Sequence, residues 1–273
     1  MQRRNKDYMK KPYLRKDIID DITCYHGDCL EVMKIIPDKS IDMILCDLPY
    51  GTTACKWDII IPFKPLWEQY KRIIKDKGCI ALFGSEPFSS QIRNSNLNWF
   101  KYDWIWEKEC GVGFQIAKYR PMQKHEIISI FGNGKINYAS IMKKVKSKKN
   151  KCGTSSNVCS LKYNTKIKIT DEMYPNSILK YSRDKNRIHP TQKPVALLEY
   201  LIKTYTKEGE IVLDNCAGSG STGVACKYTN RKGIMIEWSP VEPHDIYYNK
   251  MIARIKNPEQ RNYDKISNSL FEE

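Results

Sequence analysis

None of the ten cysteines forms a C-x-x-C pair, and none of the four histidines stands at metal-ligand spacing. The first absence argues against zinc and disulfide frameworks, the second against a catalytic metal. The cysteines are scattered, several inside apolar stretches (Cys46, Cys79), and read as reduced, mostly buried thiols. No apolar run approaches the roughly 20 residues of a membrane span. The opening MQRRNKDYMKKPYLRKD is basic without an apolar centre, so it does not read as a secretory signal. The expected location is cytoplasmic. No G-x-x-x-x-G-K-[ST] occurs, so a P-loop nucleotidase is not supported. There is no internal repeat.

What the chain does have is positive charge. Across 273 residues the formal net charge is +15, which points to a polyanionic partner, most simply nucleic acid. The length suffices for one large α/β domain, or for one domain with an inserted lobe.

Residues 1–21 read as a basic arm. ITCYHGDCLEVMKII reads as strand, turn, helix, and DMILCD as the next strand. PFKPLWEQYKRIIKD has helical periodicity, with Leu66, Tyr70, Ile73 and Ile74 on one face. Gly78 is expected to break the chain before a buried strand, CIALFG. SEPFSSQIRNS is expected to open a helix capped by Ser85. KYDWIWEK and HEIISIF form an expected antiparallel pair. From Asn133 to Arg187 periodicity fades and lysines crowd in. Regularity returns at PVALLEYLIKTY, an amphipathic helix, then EIVLDNCAGSGSTGVACKYTN, the strand KGIMIEW and a last helix. Strands alternating with helices predict an α/β fold with a doubly wound, mostly parallel sheet. The expected division is 22–132, an insertion over 133–187, 188–258, and a tail over 259–273.

Two loops carry chemistry. Gly218, Gly220 and Gly223 satisfy G-x-G-x-x-G between a strand and a helix. Glu237 ends the following strand about 20 residues on, as an acid that binds ribose should. A dinucleotide and S-adenosylmethionine both suit such a loop. Asp214 and Asn215, just before the glycines, favour the zwitterionic ligand over a pyrophosphate. The second loop is Asp47-Leu48-Pro49-Tyr50, at the end of the apolar run Met43 to Cys46. Alone it reads as a proline turn that closes a strand. With the glycine loop in the same sheet, it places an acid and an aromatic ring beside the expected ligand.

Together these stretches resemble the DNA amino-methyltransferases that make N6-methyladenine or N4-methylcytosine. The signature of that family is [DNS]-P-P-[YFW], matched here by Asp47 to Tyr50 with Leu48 in place of the first proline. The order, catalytic loop first and glycine loop last, is that of the β-class. GDCLEVM (Gly27 to Met33), HPTQKP (His189 to Pro194) and GFQIAKYRPMQKHEIISIF also match. The resemblance covers about residues 22 to 255. It implies a Rossmann-like methyltransferase fold, S-adenosylmethionine as cofactor, and duplex DNA with a flipped-out target base as partner. A homodimer and a cognate restriction endonuclease are compatible with it.

By the same resemblance Asp47, Leu48, Pro49 and Tyr50 are catalytic. Asp28, Asp47, Thr191, Gln192, Lys193, Asp214, Cys216, Ala217, Gly218, Ser219, Gly220, Ser221, Thr222, Glu237 and Trp238 are expected at the cofactor. The 133–187 insertion is expected to recognise the target through Lys143, Lys144, Lys146, Lys148 and Lys149. Asp at the first catalytic position favours adenine. N4-cytosine and RNA stay open, and a dinucleotide oxidoreductase is the rival class.

Overall fold

The computed structural model describes residues 11–53, 55, 58–149, 169–184, 188, 192–238 and 245–259, apart from the side chains of 145–149 and 169–170. The strands are β1 (Arg15–Ile19), β2 (Ile22–His26), β3 (Ile41–Cys46), β4 (Ile74–Gly84), β5 (Phe100–Val112), β6 (Gln123–Phe131), β7 (Lys143–Lys149), β8 (Ile169–Met173), β9 (Ile178–Lys180), β10 (Ile211–Asp214) and β11 (Lys232–Glu237). The helices are α1 (Cys29–Met33), α2 (Phe63–Ile73), α3 (Phe88–Asn94), α4 (Val195–Tyr205), α5 (Ser221–Tyr228) and α6 (Ile246–Lys256). The chain divides into two units, Met1–Ala139 with Ser177–Glu259, and Ser140–Asn176 with Gln260–Glu273. The smaller contains the antiparallel pair β7–β8.

All other strands form one sheet in the order β1-β2-β11-β10-β3-β4-β6-β5-β9. From β2 through β11, β10 and β3 to β4 it is parallel; β1, β6 and β5 add antiparallel pairings. This is the doubly wound, mostly parallel sheet that the alternation of strands and helices predicts. Every residue of β3 is buried, as expected of a strand covered on both faces. Side chains alternate between those faces. Met43 and Leu45 pack with the cluster that includes α4, α5 and α6, whereas Ile44 and Cys46 pack with α1, α2 and α3. On α4, Leu197, Leu198, Leu201, Ile202 and Tyr205 are buried, the apolar stripe that its sequence periodicity predicts.

Several local expectations change. β4 runs straight through Gly78, and Ile74 opens that strand instead of extending the apolar face of α2. A Cβ at residue 78 would fall 2.7 Å from the Ile74 side chain and 3.0 Å from the Asp42 carbonyl oxygen. Glycine here permits close passage beside the register shift between Ile41 and Met43. Ser85 makes no side-chain cap on α3; the Glu86 carboxylate accepts the Ser90 amide instead. Residues 15–19, read as part of a basic arm, form β1, which pairs with β2 across a turn with Asp20 at φ 51°. β9 lies within the 133–187 stretch in sequence but joins the main sheet beside β5. Among the described residues no helix is long and apolar enough to cross a membrane.

Candidate active site

β3 and β10 are parallel neighbours, with Val212 opposite Met43 and Leu213 opposite Ile44. They therefore deliver Asp47 and Asp214 to the same end of the sheet. The order reverses there, since the chain continues outward to β4 on one side and to β11 on the other. Such a switch point leaves a crevice beyond the strand ends. A cavity of about 550 Å³ occupies it, within the range of small-molecule sites.

Asp47, Leu48, Pro49 and Tyr50 line this cavity together with Asp28, Gln192, Lys193, Asp214, Cys216, Ala217, Gly218, Ser219, Ser221, Thr222, Glu237 and Trp238. Gly220 lies outside the lining: a Cβ there would meet Met251 at 2.8 Å, so this glycine lets α5 approach α6. Thr191 lies outside the described residues. Lys143 is half-buried and Lys144 exposed in the smaller unit. Lys146, Lys148 and Lys149 belong to β7, and their side chains lie outside the described residues.

At the β3 end the carboxylate of Asp47 is held on both oxygens. The Tyr50 hydroxyl donates to Oδ1 at 2.5 Å and the Lys193 ammonium to Oδ2 at 2.6 Å. Lys193 also lies 3.1 Å from Glu126, which pairs with Lys108 at 2.6 Å. Four groups of alternating charge thus run along the cavity wall. Burial pushes the Asp47 carboxyl up, against the pull of Lys193. For Lys193, burial acts to lower its pKa, but Asp47 and Glu126 outweigh it and hold the ammonium protonated. For Glu126, burial raises its pKa, but Lys193 and Lys108 outweigh it and keep it below the usual range. Glu126 and Lys108 both line the cavity, and neither was singled out in the sequence.

The loop after β3 is tied from within. Leu48 is 3% exposed and packs in the core beneath the loop, an anchor where the family has proline. The Tyr50 ring stacks on Phe88 at 5.0 Å. Asp58 accepts the amides of Gly51, Thr52 and Thr53 and the Thr53 hydroxyl. Burial acts to raise its pKa, but these donors outweigh it and lower the value. Gly51 has φ 67°, a conformation that glycine adopts without strain.

At the β10 end, Asp214 accepts the Thr222 hydroxyl at 2.6 Å and the Cys216 amide at 3.1 Å. Burial lifts its pKa to about 6, against those donors. Glu237 accepts the Gly218 amide at 2.6 Å; burial, with the charge of Asp214, lifts its pKa to about 8. Gly218 has φ 51°, and a Cβ there would meet the Cys216 carbonyl oxygen at 4.0 Å, an ordinary contact. Asn215 accepts the Tyr70 hydroxyl at 2.5 Å. Asp28 caps α1 through the Leu30 and Glu31 amides while it lines the cavity. Gln192 donates to Asp184 and accepts from the Ile188 amide. Arg254 of α6 donates to Ser219 and Ser221 and pairs with Asp184; it too escaped the sequence reading. Among the described residues no group of three or more His, Cys, Asp or Glu could hold a metal ion.

Residues 41–244 match the model of a family described as DNA methylase. The Type II methyltransferase M.HpaI of Haemophilus parainfluenzae is 28% identical over 229 residues, or 77% of this chain and 68% of that protein. The DNA adenine methyltransferase YhdJ of Escherichia coli (strain K12) is 28% identical over 236 residues, 79% of this chain and 78% of that protein. Among solved structures, the M1.HpyAVI–SAM complex has a TM-score of 0.58 at 28% identity, covering 85% of this chain and 99% of that one. The matched span contains both loops that meet at the cavity, and the chain belongs to the DNA methylase family.

Proposed function

We propose that this chain is a site-specific DNA methyltransferase that transfers a methyl group from S-adenosylmethionine to the exocyclic N6 of an adenine flipped out of the duplex. The observation that carries this reading is the single cavity shared by Asp47, at the end of β3, with Asp214 and Glu237, at the ends of β10 and β11. The relatives support it: YhdJ is named a DNA adenine methyltransferase, and M1.HpyAVI was solved with SAM.

The residues present fit the cofactor. Asp214 and Glu237 are buried, have no ion pair among the described residues, and line the cavity beside Gly218. They suit a ligand that brings hydroxyls and a positive charge. Glu237 would hold the ribose hydroxyls, with Asp28 and Trp238 at the adenosine end and Gln192 at the methionine end. When bound, S-adenosylmethionine supplies an electrophilic methyl carbon on a sulfonium.

The chain's own residues prepare the amine. An exocyclic amine is a poor nucleophile, because its lone pair is delocalised into the ring. Asp47 and the main-chain carbonyl of Leu48 each offer an acceptor to its N–H groups. Acceptors fixed in advance stabilise the positive charge that develops on the nitrogen. The Tyr50 ring offers a stacking face that offsets part of the cost of unpairing the base. Lys193 orients Asp47 by holding Oδ2. Lys143, Lys144, Lys146, Lys148 and Lys149 are proposed to neutralise phosphates. The test is to incubate the chain with genomic DNA and labelled S-adenosylmethionine, digest to nucleosides, and identify the product by mass spectrometry. N6-methyladenine is expected. N4-methylcytosine would correct the target base, and the absence of any methylated base would overturn the proposal.

A further inference from the structure

We infer that the β5–β6 loop is a second DNA-contacting element, one that meets the duplex beside the flipped base; this rests on the methyltransferase reading above. β5 carries Trp106, Lys108 and Val112 along the cavity wall. Immediately after Val112 the chain leaves the sheet at Gly113, which has φ 94°, and makes a single 3-10 turn over Phe114–Ile116. The Ile116 carbonyl accepts the Tyr119 and Arg120 amides, so the loop holds a defined shape.

That shape turns apolar side chains outward. Phe114 is 78% exposed and Tyr119 87%, with Ile116 and Met122 also exposed. A cluster of this kind on one short loop marks an interaction site. Its charge selects the partner. GFQIAKYRPMQK, Gly113 to Lys124, contains Lys118, Arg120 and Lys124 and no acid. Lys124 is paired with Glu107. Lys118 and Arg120 are exposed and have no salt bridge among the described residues. Exposed aromatic rings beside unpaired cations, Tyr119 between Lys118 and Arg120 with Phe114 nearby, suit a nucleic acid, with cations on phosphates and a ring against a base step or in the gap that the flipped base vacates. Continuity with the cavity through Val112 puts this contact next to the target base.

The test compares Phe114→Ser with Tyr119→Ser as one double variant and Lys118→Gln with Arg120→Gln as another. All four positions are exposed, so thermal melts should match wild type. S-adenosylmethionine affinity, measured by calorimetry, should also be unchanged. The aromatic variant should raise the Kd for duplex DNA by at least about fivefold, from the lost stacking of one base. The cationic variant should flatten the slope of log affinity against log salt by about 1.8. Wild-type affinity and slope in both variants would overturn the inference. So would a wild-type dimer that the aromatic variant splits with DNA affinity unchanged, since a second copy would then own the loop. A wild type that binds DNA through this loop yet leaves no methylated base would sink the methyltransferase reading and keep the surface.

Discussion

Asp47, at the end of β3, lies 2.6 Å from the ammonium of Lys193, whereas Asp214 and Glu237, at the ends of β10 and β11, have hydrogen-bond donors and no cation among the described residues. The same crevice thus treats its carboxylates in two ways. At the Asp47 end the chain supplies a cation of its own, Lys193, which opposes burial, while burial and the charge of Glu126 still hold the carboxyl above its usual range. At the Asp214 and Glu237 end no cation among the described residues opposes burial, and the two acids rise to about 6 and about 8. On the proposed function Asp47 acts on a neutral amine, and Tyr50 and Lys193 fix its orientation before the base arrives. Groups that hold a cationic, hydroxyl-bearing cofactor can be completed by that cofactor.

The comparison breaks most visibly at Lys193. Lys193→Met strands Asp47 and Glu126 in a buried site. Loss of one partner from a buried pair costs about 3–5 kcal/mol, read as a lower urea midpoint with an unchanged slope. Adding Asp47→Asn should recover part of that loss. Next in size is Asp47→Asn alone. It removes a charged acceptor from the reacting amine, and turnover should fall by about 10²–10³-fold. Calorimetry should show S-adenosylmethionine binding within about threefold of wild type, because an effect of one order (about 1.4 kcal/mol) would place Asp47 on the cofactor instead.

Glu237→Ala should weaken S-adenosylmethionine by about ten- to a hundredfold, the worth of a hydrogen bond to a charged group, with DNA affinity little changed. The same residue should shape stability against pH. Its folded pKa of about 8 lies above the ordinary 4.5, so the folded chain keeps a proton that the unfolded chain gives up. Its contribution is complete below about pH 4.5 and is lost as pH rises towards about 8. Melting curves of the cofactor-free chain should show a decline with pH that is shallower in Glu237→Gln.

Much of this contrast was legible in the sequence, unevenly. β3, β10 and β11 are apolar runs that each end in or just before an acid, so the strands and the positions of Asp47, Asp214 and Glu237 follow from periodicity and loop pattern. Their neighbourhood follows from the switch-point rule. The charged partners at the Asp47 end did not. Lys108 and Glu126 sit on β5 and β6, whose antiparallel pairing in the sheet brings them to Lys193 from far away in sequence. A lone Lys or Glu in a strand has no local mark of burial. Arg254 lay on a helix that otherwise reads as an ordinary amphipathic surface. Gly78 misled for a related reason: a glycine that breaks the chain and one that admits a neighbouring backbone look alike until the neighbour is known. Asp58 ties the loop after β3 through three backbone amides, a contact that no side-chain pattern announces.

Proton release on cofactor binding tests the contrast most directly. Calorimetric titrations of S-adenosylmethionine at pH 7, in buffers of different ionisation enthalpy, count protons exchanged. A Glu237 that is protonated in the free chain and ionised against the cofactor releases most of one proton, given its pKa of about 8. Glu237→Gln should abolish that release, and Lys193→Met should leave it in place. Binding without proton release in wild type, or release that survives Glu237→Gln, would contradict the account of a cofactor-completed carboxylate.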